Sequence, residues 1–296
     1  MKEQFITKNF SKNSLDVIGI ANNIINEYLD QGIDLTLRQL YYQFVARDLI
    51  PNKQSEYKRL GSIINDARLA GYVDWYAIVD RTRYVRSLSH WNHPKEILQT
   101  AIKSFHMDKW KNQEYRPEVW IEKDALVGVI ENVCNKYDVP YFSCRGYPSQ
   151  SEIYRAGKRI EEYNYYGHIP IILHLGDHDP SGIDMTRDIE DRVRMFSKNP
   201  YIEVKRIALN MNQIERYNPP PNPAKITDSR FAKYVTTYGK DSWELDALDP
   251  SIIIELIKNE LDFLRDPDQY NEKVEEENKH KNSLNKIIEN WEDKNI

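Results

Sequence analysis

Cysteine is nearly missing from this sequence: Cys134 and Cys144 are the two among 296 residues. Two thiols build neither a disulfide framework nor a cysteine-rich zinc site. Long apolar runs are missing as well, and no stretch approaches the roughly 20 residues that a membrane span needs. The opening MKEQFITKNFSKN has lysines with no hydrophobic stretch behind them, unlike a secretory signal. A cytoplasmic protein with no membrane partner is therefore expected. Internal repeats and low-complexity tracts are also lacking.

Hydrophobic residues make up 40% of the chain and charged residues 29%, enough for ordinary buried cores, and the length suits about two domains. The net charge of −5 looks unfavourable for a nucleic-acid binder, but it is unevenly spread. Residues 241–296 carry 16 acidic against 7 basic residues, which leaves residues 1–240 at +4. Between Thr36 and Asn92 nine basic residues face five acids. A basic front and an acidic tail are compatible with DNA binding, which depends on a local patch rather than on the isoelectric point. Solvated surface charge explains the same runs equally well.

Residues 1–92 read as three helices and a β-hairpin. Val17, Ile20, Ile24, Ile25 and Leu29 form one stripe of a helix over 14–29, which Gly32 stops. Thr36 is placed to N-cap a helix over 37–50, and Pro51 closes it. A third helix spans 55–71, and WYAIVDRTRYV follows with rough strand alternation. Three helices and a hairpin predict a winged helix-turn-helix, whose third helix enters a major groove while the wing lies beside phosphates. Arg59 and Arg68 on that helix, with Arg81 and Arg83 in the wing, are the expected DNA contacts. A small helical domain that binds protein is the competing reading.

Residues 93–116 look like a connector with one helix over 94–105. From Pro117 strands and helices alternate: strands near EVWIEK, VPYFSCRG, IPIILHLGDHD and YIEVKRIAL, with helices between them. This α/β pattern predicts a parallel sheet covered on both faces, with chemistry at the carboxyl ends of its strands. After Leu209 the chain is expected to be irregular, with Pro219–Pro221 precluding a helix, before a helix following Asp249-Pro250 and a charged closing helix.

Two strand ends hold acids. Glu122 ends the first strand, and Asp177 and Asp179 end the strand IILHLGDHD, where period-two alternation would send both to one side and His178 to the other, to pack or to support the acids from behind. Adjacent carboxylates repel unless a cation neutralises them, and a small all-oxygen set with open positions suits Mg²⁺. A Glu122–Asp177–Asp179 site of this kind would hold a phosphodiester. A lone DxD is also common on surfaces with no such role.

Glu at the end of one strand, with a later strand ending in DxD before a Pro-x-Gly turn, resembles the Toprim domain of topoisomerases, primases and some nucleases. RGYPSQ (145–150), GDHDPSGIDM (176–185) and LRQLYYQF (37–44) are similar to segments of the topoisomerase VI A subunit and the related meiotic double-strand-break transesterase. The similarity covers about residues 14–210 and looks like a compact, stand-alone member of the Mini-A kind. It implies a winged-helix cleavage domain followed by a Toprim domain, residues 117–296, with a C-terminal helical extension. It maps the nucleophile to Tyr42, supported by Arg38, and the Mg²⁺ ligands to Glu122, Asp177 and Asp179. It implies type IIB topoisomerase-like cleavage of double-stranded DNA with a 5′-phosphotyrosyl linkage. It further implies a homodimer in which one protomer's tyrosine meets the other's metal, and it leaves open an ATPase B-type partner.

Residue chemistry alone allows the same assignment. A phenol, with a pKa about 10, is a poor nucleophile at neutral pH, and Arg38, four residues before Tyr42, shares its helix face. Lys123 and Arg145 stand beside the acids and would touch phosphate or simply pair with a carboxylate, and Asp184 would add a metal ligand or cap its helix. Twenty tyrosines, including a second pair at Tyr165-Tyr166, weaken any argument from Tyr41-Tyr42 alone. The alternatives are a Toprim-type hydrolytic nuclease, in which Tyr42 is structural, and a DNA-binding partner protein without catalysis. TDSR (227–230) and WELDAL (243–248) look specific but have no assigned role at this level.

Overall fold

A computed structural model describes residues 2–79, 88–198 and 202–289. The first helix, α1 (Lys12–Leu29), buries Val17, Ile18, Ala21, Ile24, Ile25 and Tyr28. Helix α2 (Leu37–Ala46) begins in a capping box. Thr36 Oγ1 accepts the Gln39 N–H at 3.2 Å, and the Thr36 N–H donates to Gln39 Oε1 at 2.8 Å. It ends four residues earlier than the sequence predicts. Asp48 takes a left-handed conformation (φ 54°), and the Leu49 N–H closes back onto the Phe44 carbonyl at 3.0 Å, a Schellman-type stop. Helix α3 (Gln54–Leu69) completes a core of Leu40, Phe44, Leu60 and Ile64 with the α1 stripe. Beyond it, Ile78 forms a parallel bridge with Leu35. Residues 75–79, the start of the expected hairpin, form turns and this single bridge rather than a strand, and residues 80–87, with Arg81 and Arg83, lie outside the described residues.

Helix α4 (Pro94–Lys103) lies in the expected connector. The sheet follows: β1 (Tyr115–Ile121), α5 (Val127–Tyr137), β2 (Tyr141–Ser143), α6 (Gln150–Tyr165), β3 (Ile169–Leu175), α7 (Pro180–Ser197) and β4 (Glu203–Ala208). The four strands are parallel in the order β2-β1-β3-β4, with Val119 opposite Leu173 and Ile121 opposite Leu175. Alternation divides the strands between two cores. Val119, Ile121, Leu173 and Leu175 pack with Ile130 of α5 on one face, and Trp120 and Ile172 pack with α6 and α7 on the other. The α6–α7 contact is close at Gly157, where an added Cβ would stand 2.5 Å from Phe196 Cβ. The chain is thus an α/β protein with a parallel sheet covered on both faces.

Residues 210–242 are more ordered than expected. They contain α8 (Met211–Tyr217), the short ladder of β5 (Asn222–Pro223) with β6 (Asp241–Ser242), and α9 (Phe231–Tyr238). Elements this short have too few residues to show a period, and the three prolines do lie outside helix. Helix α10 (Pro250–Leu264), capped by Asp249, lies beside α5 on the first sheet face, which it fills with Ile253, Ile257 and Leu261. Helix α11 (Pro267–Glu289) packs on α4. Its Glu277 takes the Lys109 ammonium at 2.6 Å and the Met107 N–H at 2.7 Å.

The helical front and the sheet are joined well beyond the connector. Ala247 is buried in the front core, Ile254 packs against it, and Tyr28 donates a hydrogen bond to Asp249. Residues 243–254 therefore serve both cores.

Candidate active site

Glu122 and Lys123 follow directly on β1, and the Glu122 N–H continues the ladder to the Leu175 carbonyl at 2.8 Å. Strand β3 stops at Leu175, earlier than the sequence predicts, so Asp177 and Asp179 stand beyond it and their positions follow from loop contacts. The Gly176 N–H donates to Ala208, and His178 forms an antiparallel bridge with Trp243, at 2.8 and 2.9 Å. His178 packs on the rings of Tyr234, Tyr238 and Trp243, and its Nδ1 lies 2.7 Å from the Tyr234 hydroxyl. It is a packing residue.

The three acids play different parts. The Asp177 N–H donates to Glu122 Oε2 at 2.8 Å. Asp177 Oδ1 accepts the Leu245 N–H at 2.8 Å, and Oδ2 pairs with Lys123 at 3.0 Å. Asp179 caps α7, its Oδ1 accepting from the Gly182 N–H at 2.6 Å and the Ser181 hydroxyl at 2.8 Å. Gly182 is required here, because an added Cβ would overlap the Asp177 carbonyl oxygen and come 3.2 Å from Glu122 Oε2.

Burial, and after it the Glu122 charge, pushes Asp177 up to about 7 against the pull of Lys123. Glu122 is raised too, first by burial and then by the charge of Asp179. Arg206 is buried behind these acids, donating to the carbonyls of Gly176, Asp177 and Gly182 at 2.8, 2.6 and 2.9 Å. Desolvation lowers it to about 10, which leaves it charged at neutral pH.

Among the described residues no group of three or more His, Cys, Asp or Glu side chains has metal-holding geometry. The expected three-carboxylate set is changed in this way: Asp177 is committed to Lys123 and Leu245. The donor chemistry nonetheless fits a hard divalent cation. Glu122 and Asp179 are neighbouring carboxylates, with Lys123 and Arg206 beside them, and Asp179 Oδ2 accepts no hydrogen bond among the described residues. One or two carboxylates plus substrate phosphate is an ordinary Mg²⁺ shell.

Tyr42 and Arg38 sit on α2 and reach this region through a segment whose role the sequence did not reveal. Arg38 Nη2 lies 3.4 Å from the Tyr42 hydroxyl, and its guanidinium stands 5.6 Å from the Tyr42 ring centre. The same guanidinium pairs with Glu244 and, at 2.7 Å, with Asp246. Lys123 pairs with those two carboxylates at 3.0 and 2.7 Å. WELDAL thus ties the tyrosine helix to the strand ends within one chain, whereas the family resemblance implies a tyrosine and a metal from different protomers. Tyr42 is only 3% exposed, and burial followed by the charges of Glu244 and Asp246 raises its hydroxyl well above the ordinary phenol value. A cavity of about 190 Å³ is lined by Tyr42, Arg38, Tyr41, Tyr57, Lys53 and Glu244. Tyr41 turns inward, its hydroxyl donating to Asn52.

The expected DNA contacts divide. Arg59 is partly exposed and pairs with Glu56 at 2.7 Å. Arg68 is half-buried at the end of α3. It donates to the Trp75 carbonyl at 2.6 Å and stacks on that indole at 4.7 Å, because Trp75 folds back over the end of α3. Arg145 is largely exposed and pairs with Asp124 at 3.1 Å. Lys123 pairs with carboxylates in this structure, the second of its two expected fates. Asp184 neither caps α7 nor joins the acids. It pairs with Arg187 and with Arg230 of TDSR, and it accepts a hydrogen bond from Tyr147 of the Gly-Tyr-Pro segment at 2.8 Å.

Neither a scan of protein-family models nor a search of curated proteins returns a match to this chain. Among the described residues no helix is long and apolar enough to cross a membrane.

Proposed function

We propose that the chain is a Mg²⁺-dependent DNA-cleaving transesterase of the topoisomerase VI A kind, with residues 1–92 as a winged-helix cleavage domain and the sheet as a Toprim domain. The observation that carries this reading is the Arg38–Glu244/Asp246–Lys123 network, which joins the tyrosine helix to the strand-end acids.

In this mechanism the Tyr42 oxygen attacks phosphorus as its hydroxyl proton passes to water. The new O–P bond forms as the P–O3′ bond breaks, so the 5′ end stays on the tyrosine and the 3′ oxygen takes a proton back from water and departs as a hydroxyl. Arg38, 3.4 Å from the phenol, stabilises the developing phenolate and offers positive charge to the phosphate. Lys123 supplies a second cation on the sheet side. Glu122 and Asp179 would hold the metal, which when bound withdraws charge from the phosphate oxygens. Two copies acting on opposite strands would leave staggered ends.

A hydrolytic nuclease is the second reading, and the burial of Tyr42 favours it, since water needs no exposed phenol. The separating experiment is denaturation of a Mg²⁺ cleavage reaction followed by a search for protein on DNA 5′ ends, run beside Tyr42→Phe.

A further inference from the structure

We propose that Arg38 and Lys123 form a seat for one backbone phosphate, and that the Glu244 carboxylate fills this seat as a built-in stand-in when no nucleic acid is bound. The inference rests on the DNA-cleaving reading and adds to it a place for the substrate and a reason for the resting arrangement.

Both cations meet a single oxygen. Glu244 Oε2 accepts from Arg38 Nη2 and, at 3.0 Å, from Lys123 Nζ. Two donors from separate parts of the fold aimed at one anionic oxygen describe an anion site, and a phosphodiester offers oxygens of the same kind. Its charge is also −1, so exchanging carboxylate for phosphate leaves the local charge unchanged.

The other carboxylate behaves differently. Asp246 takes Arg38 Nε and Lys123 Nζ, both at 2.7 Å, on its two oxygens, and its side chain is 2% exposed against 28% for Glu244. Asp246 is the fixed counter-ion, and Glu244 is the one with solvent and cavity space to move into. The backbone between them is anchored. Trp243 is paired with His178, and Leu245 is fully buried with its N–H on Asp177. The Glu244 side chain can therefore leave without the segment moving. It lines the 190 Å³ cavity that Tyr42 also lines, so a phosphate in the seat lies beside the phenol. Glu244 is held at a pKa of about 2 by Lys123 and Arg38 despite its burial, so it stays an anion at any working pH and competes throughout.

A seat that is usually filled weakens apparent affinity by the fraction of time it is free. The test is fluorescence anisotropy of the full chain with a labelled duplex oligonucleotide in EDTA, comparing wild type, Glu244→Gln and Glu244→Gln combined with Lys123→Gln. Glu244→Gln is expected to bind about tenfold tighter, a gain that the added Lys123→Gln removes. Binding that is unchanged or weaker in a folded Glu244→Gln overturns the proposal, because a mere strut between the halves would give that result. If Glu244→Gln lowers the melting temperature markedly, Glu244→Asp takes its place; its shorter arm withdraws the charge from Arg38 and is expected to tighten binding as well, and its failure to do so also counts against the seat. A wild type that binds duplex but gives neither cuts nor adducts with Mg²⁺ sinks the cleavage reading and leaves the affinity comparison standing. Duplex binding by none of the variants sinks both.

Discussion

Arg38, on the second helix of the front half, and Lys123, one residue past Glu122 at the head of the sheet, grip the same two carboxylates, Glu244 and Asp246. The four charges join three distant stretches of sequence. Against the cost of its burial, Asp246, Asp177 and Glu244 hold the Lys123 ammonium firmly protonated. The network sets Tyr42 and its adjacent cation beside Glu244 and Asp246, and the consequences are measurable.

Asp246→Asn should expose what the network contributes to folding. Asp246 is 2% exposed, and its loss leaves Lys123 and Arg38 with a shared charge deficit in a partly buried place. Removing one partner of a buried pair costs about 3–5 kcal/mol, and the partial exposure of Arg38 brings the expectation to about 2–3 kcal/mol. Urea denaturation reads this directly, and a change under about 0.5 kcal/mol would show that the two halves dock without the network.

Gly182→Ala and Gly157→Ala form a matched pair. Both force a methyl group into filled space, with an overpacking cost of about 1–3 kcal/mol each. Gly157 lies between α6 and α7, against Phe196, while Gly182 lies against the Asp177 carbonyl and Glu122. Thermal melting is expected to fall for both. The Mg²⁺ concentration needed for half-maximal cleavage is expected to rise for Gly182→Ala alone, and a parallel rise for Gly157→Ala would contradict the placement of the acids.

The docking of α11 should weaken in acid. Lys109, Lys281 and the Met107 N–H outweigh the burial of Glu277 and hold it at about 2, below its ordinary 4.5. A depressed carboxylate contributes stability above its unfolded pKa and loses it as pH falls toward the folded one, here from about 4.5 to about 2. The contribution is on the order of 2 kcal/mol at neutral pH. Glu277→Gln is therefore expected to be less stable than wild type at pH 6, with the gap closing as the pH falls toward 2.5. A gap independent of pH would mean that Glu277 acts through packing alone.

Much of the framework was legible because it rests on local rules. Thr36 ahead of the Leu37 run announced a capped helix, and alternating apolar strands and helices announced a covered parallel sheet. The early stop of α2 was not legible, since it depends on Asp48 adopting a left-handed turn within an apparently continuous helical pattern. Leu175 as the true end of β3 was hidden because His178 pairs with Trp243, a partner far along the chain. Glu244 and Asp246 were missed for the same reason: an ion pair across such a separation leaves no periodic trace, and WELDAL showed only that its residues were unusual. The contact of Arg68 with Trp75 was not legible, because helix position says nothing about a tryptophan folding back on the helix end.

The central claim is that the Tyr42 oxygen becomes bonded to DNA. Radiolabelled duplex incubated with the full chain and Mg²⁺, then denatured and digested with protease, reads it in one gel. The expected result is label carried by a Tyr42 peptide on 5′ ends, with none from Tyr42→Phe. Broken strands with free 5′ phosphates, produced equally well by Tyr42→Phe, would contradict it.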